Sequence, residues 1–128
     1  MCFPIQCDDG TLTEDHAVYK WSKHMREAMT SIGQPLDFGR HYKRTMEEAG
    51  FVDVKEEIYK WAISPWPKAE KEKTLGAWER VNFLEGLPAF SLRIFTQILG
   101  WSAEETEVLM AAVRLDIKNK AIHAYFPM

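Results

Sequence analysis

Over residues 14–32 the apolar positions Ala17, Trp21, Met25, Ala28, Met29 and Ile32 recur at steps of three and four, with Lys20, Lys23, Arg26 and Glu27 opposite them. That period predicts an amphipathic helix. Thr13, followed by Glu14 and Asp15, offers its start, since a hydroxyl accepts a free backbone N–H and acids favour the positive helix end. Gly33 and Pro35 end it. A second stripe, Phe38, Tyr42, Met46 and Ala49, predicts a helix of about three turns, with Asp37 as N-cap and Gly50 as the left-handed closing residue. Beyond Gly50 the pattern changes. Residues 51–61 are rich in β-branched and aromatic side chains with partial alternation, which predicts a half-buried strand.

Ser64-Pro65-Trp66-Pro67 cannot continue a strand, because each proline removes a backbone donor. The charged stretch that follows, residues 68–73, reads as a solvated loop or first helical turn. Residues 71–100 then read as two helices broken near Gly86-Leu87-Pro88. Leu75, Trp78, Val81 and Phe83 are the apolar positions of the first, and Leu92, Ile94, Phe95, Ile98 and Leu99 those of the second. Ser102-Ala103-Glu104-Glu105 is a capping box ahead of a helix reaching about Asn119, with Val108, Leu109, Ala112, Val113 and Ile117 over a wide buried face. Residues 121–126 have strand character. Their sole partner in this reading is the strand at 51–61, so both outer edges are expected to present unpaired N–H and C=O groups.

The 128 residues are 46% hydrophobic, 27% charged and 12% aromatic, the balance of one soluble domain over residues 1–128. Sixteen Lys and Arg against nineteen Asp and Glu leave a formal charge of −3, which disfavours nucleic acid as a partner. No run approaches about 18 consecutive apolar residues, so no membrane partner is expected. The N-terminus lacks the basic start and apolar stretch of a signal peptide. A cytoplasmic or nuclear location is the default.

Candidate chemistry is sparse. Cys2 and Cys7 read as free thiols, for no soft ligands nearby complete a zinc site. His16, His24, His41 and His123 show neither His-x-x-x-His nor Glu-x-x-His spacing, so no metal is expected and structural roles are the plainer reading. Asp8-Asp9-Gly10-Thr11 lacks the ligand register of a calcium loop and reads as a turn. There is no Gly-x-Gly-x-x-Gly, no Walker lysine and no Gly-x-Ser-x-Gly, so nothing cradles a phosphate or sets up a serine nucleophile. The aromatics Trp21, Tyr42, Tyr59, Trp61, Trp66, Trp78 and Trp101 could line an apolar pocket, although core packing accounts for most of them equally well. Trp66 is the exception, held on a loop by Pro65 and Pro67.

Several segments together carry a resemblance. Cys7-Asp8-Asp9-Gly10-Thr11-Leu12, Gly39-Arg40, Ala49-Gly50-Phe51-Val52-Asp53-Val54, Ser64-Pro65-Trp66-Pro67-Lys68, Phe95-Thr96-Gln97-Ile98-Leu99-Gly100-Trp101-Ser102, Val113-Arg114-Leu115-Asp116-Ile117-Lys118-Asn119 and Ile122-His123-Ala124-Tyr125 occur in order along nearly the whole chain. Together they resemble the C-terminal half of fungal S-adenosylmethionine-dependent methyltransferases of the LaeA-like, secondary-metabolism type. The resemblance implies an α/β fold: part of a Rossmann-like class I methyltransferase sheet, helix-rich, with about five helices and two antiparallel strands. The strand at 51–61 would be the sixth of that sheet and the strand at 121–126 the seventh, which normally lies between the fifth and sixth. The last strand would then lack its neighbour on one side. The helix face of Trp21, Met25 and Met29 would lack its usual cover, with self-association as the symptom.

By the same resemblance the cofactor of the family is S-adenosylmethionine, held by an N-terminal Gly-rich loop and an acidic residue that have no counterpart here. No cofactor is therefore expected for this chain alone, and no cofactor-binding or catalytic residue can be assigned. Residues 71–119 resemble the insertion that shapes the small-molecule acceptor pocket, and Trp21, Trp66 and Trp78 are the candidate pocket residues. The leading expectation is a truncated methyltransferase, inactive by itself. The alternatives are a non-catalytic module pairing through its open strand edge with a full-length methyltransferase, a regulator or itself, and a small-molecule binding domain using the aromatic cluster.

Overall fold

A computed structural model describes residues 3–128. In chain order the elements are α1 (Ala17–Ser31), a 3-10 turn (Phe38–His41), α2 (Tyr42–Glu48), β1 (Lys60–Ala62), α3 (Glu70–Gln97), α4 (Ala103–Lys118) and β2 (Tyr125–Pro127). Helices α1, α3 and α4 pack on one another, and α3 also lies against β1. Between them sits the core: Val18, Trp21 and Met25 of α1, Phe83, Leu87 and Phe95 of α3, Met110, Val113 and Ile117 of α4, with Ile63 and Phe126 from the strand side.

The first helix starts three residues later than its acidic lead predicts. The Thr13 hydroxyl does not cap it; the Thr13 N–H instead donates to His16 Nδ1 at 2.9 Å, which folds residues 13–16 into a turn. The exposed helix donors are met from across the fold, where the Val18 N–H donates to Asp116 Oδ2 of α4 at 2.9 Å. A carboxylate there also faces the positive helix end. Gly33 closes the helix in the left-handed region at φ +75°.

The predicted break at Gly86-Leu87-Pro88 does not occur, and α3 runs unbroken for 28 residues. Its buried positions, Gly76, Glu79, Phe83, Leu87, Ser91 and Phe95, follow one another at steps of three and four straight through Pro88. A helical proline costs about 3 kcal/mol. Each large apolar side chain buried on that stripe returns about 1.5–3 kcal/mol, so packing outweighs the break. The stripe also differs from the one read from apolar residues alone, since Trp78 and Val81 face solvent.

The capping box of α4 is present as expected. The Ser102 hydroxyl accepts from the Glu105 N–H at 3.0 Å, and the Glu105 carboxylate accepts from the Ser102 N–H at 2.8 Å. Its buried face is narrower than expected, centred on Thr106, Met110, Val113 and Ile117 with Val108 outside. The predicted second helix begins as the 3-10 turn, and Asp37 makes no side-chain cap. No residue of α2 is buried, and its apolar stripe faces an open cleft instead of the core.

Both strands are shorter than predicted. β1 and β2 pair antiparallel in the register Lys60↔Pro127, Trp61↔Phe126 and Ala62↔Tyr125, extended by Tyr59 with Met128 and by Ile63 with Ala124. Residues 51–58 find no strand partner among the described residues, so β propensity alone does not make them strand, and Val52 and Ile58 stay exposed. The outer edge of the last strand, expected to be bare, is met at one residue. Gln6 pairs with Tyr125 on the other side of β2, each N–H donating to the opposite carbonyl at 2.9 Å. Trp21 and Met25 are likewise covered, by α3 and by Phe3.

Candidate functional site

Four sequence features converge on a cavity of about 310 Å³ between α1 and α3. The helical period of α1 sets Trp21, Met25 and Met29 along one wall. Helix α3 supplies Glu79 and Phe83 from its buried stripe and Asn82, Phe90 and Ile94 from beside it, and the segments before and after α1 close the ends with Phe3 and Leu36. Trp21 is held in place from both sides. Its ring meets Phe83 edge-on at 5.1 Å, and its Nε1–H donates to the buried Ser91 hydroxyl at 2.8 Å. Asn82 and Phe90 are exposed and mark the mouth.

The lining is apolar except for Asn82 and Glu79, and Glu79 is the unusual member. It is 7% exposed. One carboxylate oxygen, Oε2, accepts from the Trp61 indole N–H at 3.0 Å, and the other, Oε1, is buried without a hydrogen-bond partner. Among the described residues no cation pairs with it. Charged groups are seldom buried without full pairing, because desolvation then goes uncompensated. A concave apolar site with one convergent polar group is the usual form of a small-molecule pocket. Sequence reading missed Glu79. The available signal was its place on the buried stripe, three residues after Gly76 and four before Phe83.

Of the three candidate pocket residues, only Trp21 lines this cavity. Trp78 lies outside it, 70% exposed on the outer side of α3. Trp66 lies elsewhere, stacked on His123 with ring centroids 5.0 Å apart, its Nε1–H donating to the Ala124 carbonyl at 3.0 Å.

Trp66 and His123 border a polar cluster built by the turn at Asp8-Asp9-Gly10-Thr11. Gly10 takes the left-handed conformation the turn needs, at φ +76°. Asp9 Oδ1 accepts from the Thr11 N–H, the Thr11 hydroxyl and the Cys7 thiol, and Asp9 Oδ2 meets His123 Nδ1. Beside it Asp8 pairs with Lys60 and accepts from the Tyr125 hydroxyl at 2.7 Å. Cys7 is a free thiol, while the reading of Cys2 falls outside the described residues. His123 precedes β2 instead of lying within a strand. No group of three or more His, Cys, Asp or Glu among the described residues is arranged to hold a metal ion.

This cluster makes stability depend on pH. The hydrogen bond from His123, then those from Cys7 and Thr11, hold the Asp9 carboxyl far below the usual carboxylate range. The Lys60 contact does the same for Asp8 in lesser degree. A carboxyl whose pKa is lower folded than unfolded contributes stability above the unfolded value of about 4, and that contribution is lost as pH falls towards the folded value. The melting temperature is therefore expected to drop as pH falls below about 4. Calorimetric scans of Asp9→Asn against the wild type should show a shallower acid slope in the variant. Equal slopes would mean that the bonds at Asp9 carry no net linkage.

Comparison with known proteins adds kinship. No family model matches the chain, and no solved structure does. It is 34% identical over 125 residues to the probable methyltransferase tdiE of Emericella nidulans, covering 98% of this chain and 39% of that protein. It is 35% identical over 119 residues to the methyltransferase pytC of Aspergillus terreus, covering 93% and 37%. To the secondary metabolism regulator laeA of Monascus pilosus it is 35% identical over 124 residues, covering 96% and 34%. The chain thus spans well under half the length of the curated relatives it matches. No helix among the described residues is long and apolar enough to cross a membrane. Over nearly all of its length the chain is similar to a part of fungal proteins named as methyltransferases and as secondary metabolism regulators.

Proposed function

We propose that these 128 residues form one domain that serves as the acceptor-side portion of a small-molecule methyltransferase of fungal secondary metabolism. The observation that carries the reading is the apolar cavity between α1 and α3, found in a chain whose relatives are named methyltransferases. In this reading β1 and β2 are the sixth and seventh strands of a Rossmann-like α/β sheet, and Gln6 lies where the fifth would meet the seventh. The location is cytoplasmic or nuclear.

The methyl donor, S-adenosylmethionine in this reading, is held by residues other than these. The chain has no glycine-rich turn opening a helix and no acid placed for a ribose, the two devices on which dinucleotide-type folds rely. Alone it binds the donor poorly and does not transfer methyl groups. A helper that completes the sheet, either a longer methyltransferase or a second copy, is the partner this reading implies.

Two titrations of the 128-residue chain test the reading. Calorimetry with S-adenosylmethionine should give no saturable heat, whereas 2-phenylethanol, a small aromatic probe, should bind and should lose its binding in Met29→Trp, which fills the cavity from α1. Saturable donor binding would overturn the division of labour. Unchanged 2-phenylethanol binding in Met29→Trp would remove the cavity from the account.

A further inference from the structure

Glu79 sets the chemistry of what the cavity takes. The side chain is more than nine-tenths buried, lines the cavity, and keeps one oxygen without a partner. Its other oxygen is anchored by the Trp61 N–H, so the carboxylate is held in place and has one acceptor to spare. A structural carboxylate at such depth would meet a Lys, Arg or His, and none pairs with it among the described residues. The same cavity is lined by the rings of Trp21, Phe83 and Phe90. Aromatic walls with a single buried carboxylate form a site for a cation, because the rings attract positive charge through their quadrupole and the carboxylate neutralises it.

We infer that the cavity binds a small apolar molecule bearing a protonated amine, with the ammonium donating to Glu79 and the apolar body lying between Trp21, Phe83 and Phe90. This rests on the acceptor-pocket reading and narrows its ligand to a class, the hydrophobic amines. The cavity, at about 310 Å³, is at the lower end of drug-sized sites and suits a one- or two-ring body. With Oε2 fixed by the Trp61 bond, Oε1 is the oxygen left for an incoming donor. Asn82 at the mouth offers a second polar contact that is neutral and selects no charge.

The test compares 2-phenylethylamine, 2-phenylethanol and 3-phenylpropionate as calorimetric probes of the full 128-residue chain at neutral pH. These share one ring and a short arm and differ in the charge at its end. The amine should bind at least about ten-fold tighter than the alcohol, the discrimination a charge-assisted hydrogen bond supplies, and the carboxylate should bind worst. Glu79→Gln keeps shape and removes charge, so it should weaken the amine by about the same factor and leave the alcohol nearly unchanged.

Equal affinity for amine and alcohol would overturn the charge inference while leaving the pocket an acceptor site. Failure of every probe to bind would overturn both. Should Glu79→Gln fold poorly, Trp61→Phe gives a second readout: it frees Oε2 while retaining the carboxylate, so the amine preference over the alcohol should persist or grow. Loss of that preference in Trp61→Phe would count against a carboxylate-held cation.

Discussion

Trp21→Ala is expected to cost the fold about 4 kcal/mol, within the usual range for truncating a buried tryptophan. Three separate losses converge at this position. The indole is 1% exposed and touches Phe3, Phe83 and Phe90, with ring centroids 5.1 to 6.3 Å away, so its removal opens a void in the centre of the aromatic core. Its Nε1–H is the partner of the Ser91 hydroxyl, which is itself wholly buried and would be left without that donor. The void would also merge with the neighbouring cavity, so the wall of α1 would lose its definition there. Against a total stability of about 5–15 kcal/mol the loss is large. Urea unfolding followed by circular dichroism should show the midpoint falling with little change in slope. A loss below about 1 kcal/mol would mean that Trp21 packs loosely and that the tight α1–α3 contact is wrong.

Gly76→Ala is the second large effect and acts through backbone instead of side chains. A Cβ at this position would lie 2.4 Å from the Ser64 carbonyl oxygen and 2.9 Å from its carbon. Neither atom can rotate away, so α3 would have to lift from the end of β1. Overpacking of this kind costs about 1–3 kcal/mol, and the better helix propensity of alanine returns about 1 kcal/mol of it. Because the clash is with backbone, a net loss towards the upper end of the difference, up to about 2 kcal/mol, is expected. Glu79 is one turn further along the same helix, so the Trp61 to Glu79 hydrogen bond should lengthen as well. Gly86→Ala provides the contrast. There the new Cβ meets only the ring tip of Phe90, a side chain at the cavity mouth that can turn aside. Melting temperatures of the two variants should therefore separate clearly, with Gly86→Ala close to the wild type.

The elements that read well from sequence were those set by local chemistry. The capping box at Ser102, the period of α1 and the left-handed glycines at 33 and 50 all depend on neighbours within a few residues, and all are in place. What failed depended on partners far along the chain. Pro88 reads as a break until Trp21, 67 positions earlier, is seen packing beside Ser91 and the buried stripe that runs past it. The strand at 51–61 reads as one unit, yet only the part facing the final residues has a ladder to join. The start of α1 is fixed by Asp116, 98 residues away.

The candidate site divides in the same way. Trp21 could be named because its helical face is visible in the pattern. Trp78 falls outside this cavity because counting apolar residues on α3 selects the solvent side of that helix; its buried stripe includes a glycine, a glutamate and a serine, which hydrophobicity overlooks. Glu79 was missed for that reason. A carboxylate on a buried stripe is informative only once the stripe is known. Kinship with the methyltransferases, by contrast, was legible from short ordered segments and agrees with the relatives found.

The most direct test of the central claim, that the space between α1 and α3 is a ligand site, is an amide shift map of the chain titrated with 2-phenylethylamine. Shifts are expected to gather on the α1 and α3 residues that line the cavity, with the Trp21 and Trp61 indole N–H signals among them. Shifts gathered instead around Tyr42, Met46 and Ile58, in the cleft beside α2, or none at all, would contradict it.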